Sequence, residues 1–451
     1  MILLNMVKFI HMISLLNDLL PLNDYQINCV LNKLKKFDFL NKKILLLSSK
    51  SFYQNFKQVL KLDNEIDFDE RKNVTYDYLI VFEKNNLVNN FKFLNLILIN
   101  YLPNANLISG KAEISNLNYF VKNTYFITQN YTGLYLENLV DILKNVKVEI
   151  LKDDFESSIK LLEKSDLCFS IFNRKECTNK ASFNKVSIIG GSINFLGSTY
   201  MAYLSYSSYL LGAGYVNLCI PKEFVKEYLL KEPQACLNPL SSKNGYIIFD
   251  KNEIDKIMEI SNVIVVGLGL TTNYQTYLIT SYLISNFKGT LILDADSLNS
   301  LAKYGISCLS NKKGTIVLTP HLMEFSRLIN VNIDDLRNNQ FKYLKEFCNK
   351  YHLVINLKSN TTIIYDNQNF YLVKFGTSAL AKAGSGDLLD GLIAATYKED
   401  EKAYLNLSLA NYVLGQASVN CLSYCSISSV NYDCLIKEIR NVVFENAKKL
   451  D

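Results

Sequence analysis

Glycine is nearly missing from the first 175 residues, where only Gly110 and Gly133 of the chain's 18 glycines lie. A segment so poor in glycine cannot wrap its backbone closely around a phosphate. An excess of one charge is also lacking. The 48 Lys and Arg against 43 Asp and Glu leave +5 over 451 residues, too little to argue for a nucleic-acid partner. The basic stretch Lys33, Lys35, Lys36, Lys42, Lys43 is interleaved with apolar residues and reads as a solvated helix face. Histidine occurs three times. Of the ten cysteines only Cys421 and Cys425 are close, and no further cysteine or histidine pair stands at zinc-site spacing. Buried thiols in a reducing cytoplasm are expected. Long apolar runs are missing too. Met1 to Leu20 is interrupted by Asn5, Lys8, His11, Asn17 and Asp18, which excludes a membrane span, and it has no small-residue cleavage site of a signal peptide. An amphipathic helix ending near Pro21 is expected instead, in a cytoplasmic protein without a membrane partner.

What is present is an ordinary globular composition, 49% hydrophobic and 20% charged, long enough for two domains. The first half is rich in Asn, Lys, Leu and Tyr. From Lys185 onward, glycines follow short β-branched runs. The polar stretch Asn173 to Lys180 marks a linker, so the expected division is a first domain over 1–172, a linker over 173–184 and a second domain over 185–451. In the second domain Val186–Ile189 leads into Gly190-Gly191-Ser192, and Val263–Val266 into Gly267-Leu268-Gly269. Leu291–Leu293 leads into Asp294-Ala295-Asp296, Ile316–Leu318 into Thr319-Pro320-His321, and Leu353–Leu357 ends at Lys358. Helix-length amphipathic stretches, such as Thr199–Leu211 and Ile333–Lys350, lie between. The alternation predicts an α/β fold with a mainly parallel sheet, whose ligands bind at the carboxyl ends of the strands. Thr361–Tyr365 and Phe370–Val373, separated by Asp366 to Asn369, read as an antiparallel hairpin.

The segment richest in chemistry is Ala383-Gly384-Ser385-Gly386-Asp387, directly before the apolar run Leu388 to Ala395. Small residues before a helix start let backbone N–H groups approach an anion, which the helix dipole then holds. Asp387, expected at the first helical position, would aim its carboxylate at the same spot. Such a placement is costly unless the carboxylate takes a proton from a hydroxyl that attacks phosphorus. A glycine-rich helix cap is the plain alternative. Asp294 and Asp296 are balanced between capping the next helix and serving a site, and His352 inside an apolar run reads as structural.

Taken in order, these clusters resemble the NAD(P)H-hydrate dehydratases of the ribokinase-like superfamily. Gly190-Gly191-Ser192 with Gly197-Ser198, Leu211-Gly212-Ala213-Gly214-Tyr215-Val216, Gly267-Leu268-Gly269-Leu270, Leu293 to Asn299, Thr319-Pro320-His321 with Glu324-Phe325, and Lys358 to Thr362 match the family's motifs over residues 185 to about 445. The resemblance implies a ribokinase-like three-layer α/β/α domain preceded by a smaller Rossmann-like α/β domain. It implies ADP- or ATP-dependent phosphorylation of the ring hydroxyl of hydrated NADH or NADPH, then phosphate elimination. Asp387 would be the base. Lys358, Ser359, Asn360, Thr361, Thr362, Gly384, Ser385 and Gly386 would hold the nucleotide and its phosphates. Leu211, Gly269, His321 and Asp387 would meet the substrate. Mg2+ is implied with the nucleotide, as is a homo-oligomer.

The chain departs from the family at Lys382-Ala383, where Thr-Gly is usual, at Leu270 for proline and at Ser359 for glycine. Thr377 to Leu380 also lacks the usual Asn-Pro-Gly character. Lys382 is expected to bring a charge near the phosphates, and Ala383 to crowd a backbone that needs glycine. The first half is similar in outline to the epimerase domain often fused to these enzymes. Ile44–Leu47 resembles its first strand, but Ser48 to Tyr53 replaces the glycine-rich phosphate loop and Asn100 stands in place of an acidic residue. Tyr131-Thr132-Gly133-Leu134 sits where Lys-Pro-Gly is usual. The expectation is a folded domain without epimerase chemistry. A small-molecule kinase of the same superfamily and a non-catalytic nucleotide-binding protein are the alternative readings.

Overall fold

The computed structural model describes residues 34, 44–47, 66–67, 75–82, 92–99, 124–129, 146–151, 159–170, 184–207, 215–233, 235–397 and 402–447. The chain divides into two units, Met1–Leu161 and Leu162–Asp451.

In the first unit the apolar runs form β1 (Ile44–Leu47), β2 (Ile66–Asp67), β3 (Thr75–Phe82), β4 (Lys92–Ile99), β5 (Thr124–Gln129) and β6 (Val146–Leu151). They pair in parallel in the order 2-1-3-4-5-6. The expected helix before Pro21, the loop Ser48 to Tyr53, and the segments at Asn100 and Tyr131 lie outside the described residues.

The second unit is built on a ten-stranded sheet. Its strands are β7 (Ile159–Leu162), which begins before the unit boundary, β8 (Lys185–Gly190), β9 (Tyr215–Pro221), β10 (Cys236–Leu240), β13 (Val263–Leu268), β14 (Thr290–Leu293), β15 (Thr315–Leu318), β16 (Val354–Leu357), β17 (Thr362–Tyr365) and β18 (Phe370–Val373). The small pair β11 (Ser242–Lys243) and β12 (Tyr246–Ile247) stands apart. The order is 10-9-8-13-14-15-16-17-18-7. Pairing is parallel from β10 through β16 and antiparallel across β16, β17 and β18. The expected hairpin is therefore the turn Asp366–Asn369, in which Asp366 Oδ1 accepts from the backbone N–H groups of Gln368 and Asn369.

Every residue of β13, β14 and β16 is buried, as strands covered on both faces must be. The alternation of side chains along each strand sorts them between two layers. Val186, Ile188, Val263, Val265, Ile292 and Val317 share one core with α1 (Leu196–Ser207), α9 (Ser385–Thr396), α10 (Ala403–Cys421) and α11 (Tyr432–Ala447). The alternate set, Ile264, Val266, Leu291, Leu293, Ile316 and Leu318, is buried on the opposite face. There α4 (Tyr274–Asn286) and α5 (Ala295–Tyr304) reach β13. The remaining helices are α2 (Val225–Lys231), α3 (Lys251–Ile260), α6 (Leu322–Ile329), α7 (Ile333–Asn338) and α8 (Gln340–Tyr351).

Close approach of α9 to α1 depends on Gly391, where a methyl group would overlap Ala202 O and Ser205 Oγ. Two expectations change. The single helix predicted over 333–350 is two, because Asn339 leaves helical geometry (φ −134°) and turns its amide back onto the Asp335 carboxylate at 2.8 Å. The strand expected to end at Val266 runs through Leu268, with a register shift that absorbs Gly267 at φ +120°. At that point a side chain would overlap Asp294 O.

Candidate active site

Helix α9 begins over the carboxyl ends of β14 and β16. Gly384 adopts a left-handed conformation (φ +91°), and no side chain accepts from the first N–H groups of the helix. The Ser385 hydroxyl does not cap them, since it donates to Leu380 O and Lys382 O at 2.7 and 2.8 Å. The Ser385 N–H donates to Lys382 O at 3.4 Å, so the N–H groups of Gly386 and Asp387 are the donors this turn leaves for an anion, at the positive end of the dipole. Asp387 is the third residue of this helix, not the first as expected.

Beneath that turn lies Lys358, which follows β16. A methyl group built on Gly386 would sit 3.4 Å from Lys358 Nζ and 3.9 Å from Asp294 Oδ2, ordinary contact distances that place the ammonium and the carboxylate directly under the turn. Nζ donates to both oxygens of Asp294 at 2.8 Å. Asp294 stands at the start of α5 yet makes no side-chain cap there. Asp296 does not cap α5 either: it accepts from Thr271 N at 2.8 Å and Thr272 Oγ1 at 3.0 Å. Neither carboxylate caps α5 through its side chain: Asp294 meets Lys358, and Asp296 shapes a loop. Asp296 fixes the loop after β13, in which Gly269 (φ +65°) comes so near Phe195 O that a methyl group would lie 2.6 Å from it.

His321 starts α6. Its Nδ1 accepts from the N–H groups of Met323 and Glu324 at 3.1 and 3.2 Å, which leaves the neutral ring's proton on Nε2. Glu324 completes a capping box by accepting from His321 N at 2.9 Å. The ring is half exposed, at 51%, and is tied to Lys358 by a parallel bridge between the two backbones. Behind Lys358, Asp390 Oδ1 accepts from Thr319 Oγ1 at 2.9 Å.

These groups perturb one another. Burial and the nearby Asp294 push the Asp387 carboxyl up to about 6, and the same two causes push Glu324 up to about 7. Burial works against the charge on Lys358, but Asp294, Asp390 and Glu324 outweigh it and hold the ammonium above its ordinary range. Burial and Lys358 lower His321. The result is a fixed cation under a helix start, with a carboxylate beside it poised near neutrality, as base chemistry requires.

Asp387, Gly386, Lys358 and His321 thus converge, with Gly384 and Ser385 on the same turn and Gly269 on the loop that Asp296 braces. Ser359 is half-buried and Asn360 exposed, while Thr361 and Thr362 are buried, so of the Lys358–Thr362 segment Ser359 and Asn360 face solvent, and Thr361 and Thr362 the core. Leu211 lies outside the described residues. Two expectations about the departures are corrected. Lys382 does not point at the phosphate position: its Nζ donates to Ser428 O at 3.0 Å and to Val430 O. Ala383 has no positive φ; Gly384 carries the left-handed conformation instead. Sequence reasoning misses Asp390 as a site member, and names Thr319 and Glu324 only as part of a motif without a role of their own. A carboxylate inside the apolar run Leu388-Leu389-Asp390-Gly391 is the signal that points to Asp390. Cys425 Sγ also lies 3.6 Å from Cys434 Sγ, a pairing that sequence spacing does not suggest.

The sequence model of the family described as NAD(P)H-hydrate dehydratase matches residues 186–441, more than half of the chain. The chain belongs to the NAD(P)H-hydrate dehydratase family. Among curated members, it is 29% identical over 298 residues to the bifunctional NAD(P)H-hydrate repair enzyme Nnr of Dictyoglomus turgidum, covering 64% of this chain and 57% of that protein. It is 24% identical over 278 residues to the ADP-dependent (S)-NAD(P)H-hydrate dehydratase of Nitrosopumilus maritimus, covering 60% of this chain and 92% of that one. The chain spans about half the length of the bifunctional relatives it matches. In fold it is similar to the ADP/ATP-dependent NAD(P)H-hydrate dehydratase of Bacillus subtilis co-crystallized with ATP/Mg2+ (TM-score 0.51, 23% identity, 60% of this chain and 93% of that one). It is also similar to a ribokinase-like protein of Enterococcus faecalis (TM-score 0.55, 18% identity, 66% and 100%). The family's ribokinase-like α/β architecture is the one described above.

Proposed function

We propose that the chain dehydrates the S epimer of hydrated NADH and NADPH, using ADP or ATP as phosphoryl donor. The observation that carries this reading is the stack at the start of α9: Asp387 beside uncapped N–H groups, over the Lys358–Asp294 pair. The N–H groups that the turn leaves open after Gly384, those of Gly386 and Asp387, with the Lys358 ammonium below, stabilise charge on the transferred phosphoryl group. Asp387 takes the proton of the ring hydroxyl as its oxygen attacks phosphorus. The C–O bond of the phosphorylated carbon then breaks, inorganic phosphate leaves, and loss of a ring proton restores the double bond. His321 orients the substrate with Nε2–H.

Among the described residues, no three His, Cys, Asp or Glu side chains are disposed to hold a metal ion. A magnesium ion bound with the nucleotide would take ligands from its phosphates and from water. It supplies charge neutralisation to the phosphates.

Within this reading the first half is an epimerase-like domain that has lost its chemistry, and the protein acts in the cytoplasm as a homo-oligomer on a small molecule. The loss of glycine and acid in Ser48 to Tyr53 and at Asn100 supports the first point. Among the described residues, no helix is long and apolar enough to cross a membrane.

The test is recovery of absorbance at the reduced-nicotinamide band when purified protein meets S-hydrated NADH, magnesium and either nucleotide. Nucleotide-dependent recovery that Asp387→Asn abolishes supports the reading. A stable phosphorylated alcohol in place of NADH identifies a kinase instead. Interconversion of the two hydrate epimers faster than the spontaneous reaction overturns the account of the first half.

A further inference from the structure

Asp390 is fully buried on α9, one turn beyond Asp387. Its Oδ1 accepts from Thr319, while its Oδ2 has no donor among the described residues. Burial raises the Asp390 pKa, and so does the neighbouring Asp294 carboxyl; Asp294 is itself 3% exposed and already accepts twice from Lys358. Two ionised carboxylates can only accept, so this contact is repulsive as long as neither holds a proton. One ammonium also cannot neutralise Asp294, Asp390 and Glu324 together in a buried site.

We propose that Asp390 is a positioning residue for phosphoryl transfer, holding a proton that it shares with Asp294 and thereby keeping Lys358 seated beneath Gly386. The inference rests on the dehydratase reading for the step it serves. A proton on Asp390 turns the contact with Asp294 into a hydrogen bond and completes the chain from the Thr319 hydroxyl through Asp390 and Asp294 to Lys358. Burial and the Asp294 charge both favour the protonated form, and hold the Asp390 carboxyl well above the usual range. The charged or titratable groups around it are Asp294 at the end of β14, Lys358 at the end of β16, Glu324 on α6 and Asp387 on its own helix.

Asp390→Asn tests this directly. The amide NH2 donates to Asp294 permanently and the amide oxygen accepts from Thr319, so the variant copies the protonated acid at every pH. Its kcat is expected to stay within a few-fold of wild type at neutral pH, while Asp390→Ala loses about a hundredfold in kcat through a displaced ammonium with little change in KM for the hydrate. On the alkaline side wild-type activity falls as Asp390 ionises, and the Asn variant lacks that fall. An infrared carbonyl band of a buried protonated carboxyl, present in wild type at neutral pH and missing from Asp390→Asn, reads the proton without turnover. If that band is unaffected, if the Asn variant keeps the alkaline fall, or if it is as impaired as Asp390→Ala, the proposal is overturned. A wild type that shows the band but no nucleotide-dependent recovery instead overturns the dehydratase reading, leaving the shared proton standing.

Discussion

Helices α6 and α9 start at the same end of one sheet and treat their first turns in opposite ways. At α6 the N–H groups are taken up by the chain itself, through His321 Nδ1 and the Glu324 carboxylate. At α9 a left-handed glycine leads in, no side chain caps, and the cation is placed underneath. The first arrangement satisfies orphan donors for stability; the second leaves them for a ligand. A capped start and an open start side by side fit a site with one wall that orients and one that binds charge.

Removing the carboxylate from the open start breaks the comparison hardest. Asp387→Asn is expected to lower kcat by about 10²–10⁴, the range of a lost general base, while nucleotide still binds; retained turnover would mean that α9 only binds. The wild-type rate should rise with pH through about 6, since the base works when ionised. The same carboxylate is a cost to folding. Its folded pKa is raised, so the penalty is full above about pH 6 and vanishes once the pH falls below the carboxyl's unfolded value. Asp387→Asn should therefore melt higher than wild type at pH 8, and the gap should close on acidification; a gap constant with pH would contradict the shift.

Glycine substitutions sharpen the contrast within the open turn. Gly384→Ala forces a side chain into φ +91° and should cost about 1–2 kcal/mol of stability, measured by denaturant unfolding. Gly386→Ala, where a methyl group meets Lys358 Nζ only at ordinary contact distance, should spare both stability and kcat. Equal behaviour of the two variants would mean that the left-handed conformation at Gly384 is not what demands a glycine there.

At the capped start, His321→Ala should cost about 1 kcal/mol. His321→Asn, which can still cap, should recover that stability while raising KM for the hydrate. Should Asn restore both, His321 is only a cap. The smallest effect is expected from Lys382→Ala. It breaks hydrogen bonds to Ser428 O and Val430 O, worth about 1 kcal/mol in stability, and leaves nucleotide KM unchanged.

Much of this architecture is legible in the sequence. Continuous β-branched runs ending in Gly190, Asp294, Thr319 and Lys358 mark strands buried on both faces, and their polar ends mark the mouth of the sheet. The small residues ahead of Leu388 mark the open helix start. Other features are hidden because they depend on contacts between segments far apart in the chain. Lys358 reads as a nucleotide contact at a strand end, and only the fold shows that Asp294, 64 residues earlier, takes its ammonium. Lys382 reads as a phosphate neighbour until the carbonyls of Ser428 and Val430 draw it away.

The sequence by itself determined the alternation of strand and helix and the residue types available at the sheet's carboxyl end, because local periodicity and glycine content follow from neighbouring residues. Only the tertiary structure decided which carboxylate meets which cation and which helix start stays open. Charge and burial are properties of the packed whole. Asp387, Asp390 and Glu324 carry similar side chains, and their different surroundings set them apart: a helix mouth, the inside of a core and a neighbouring capping box.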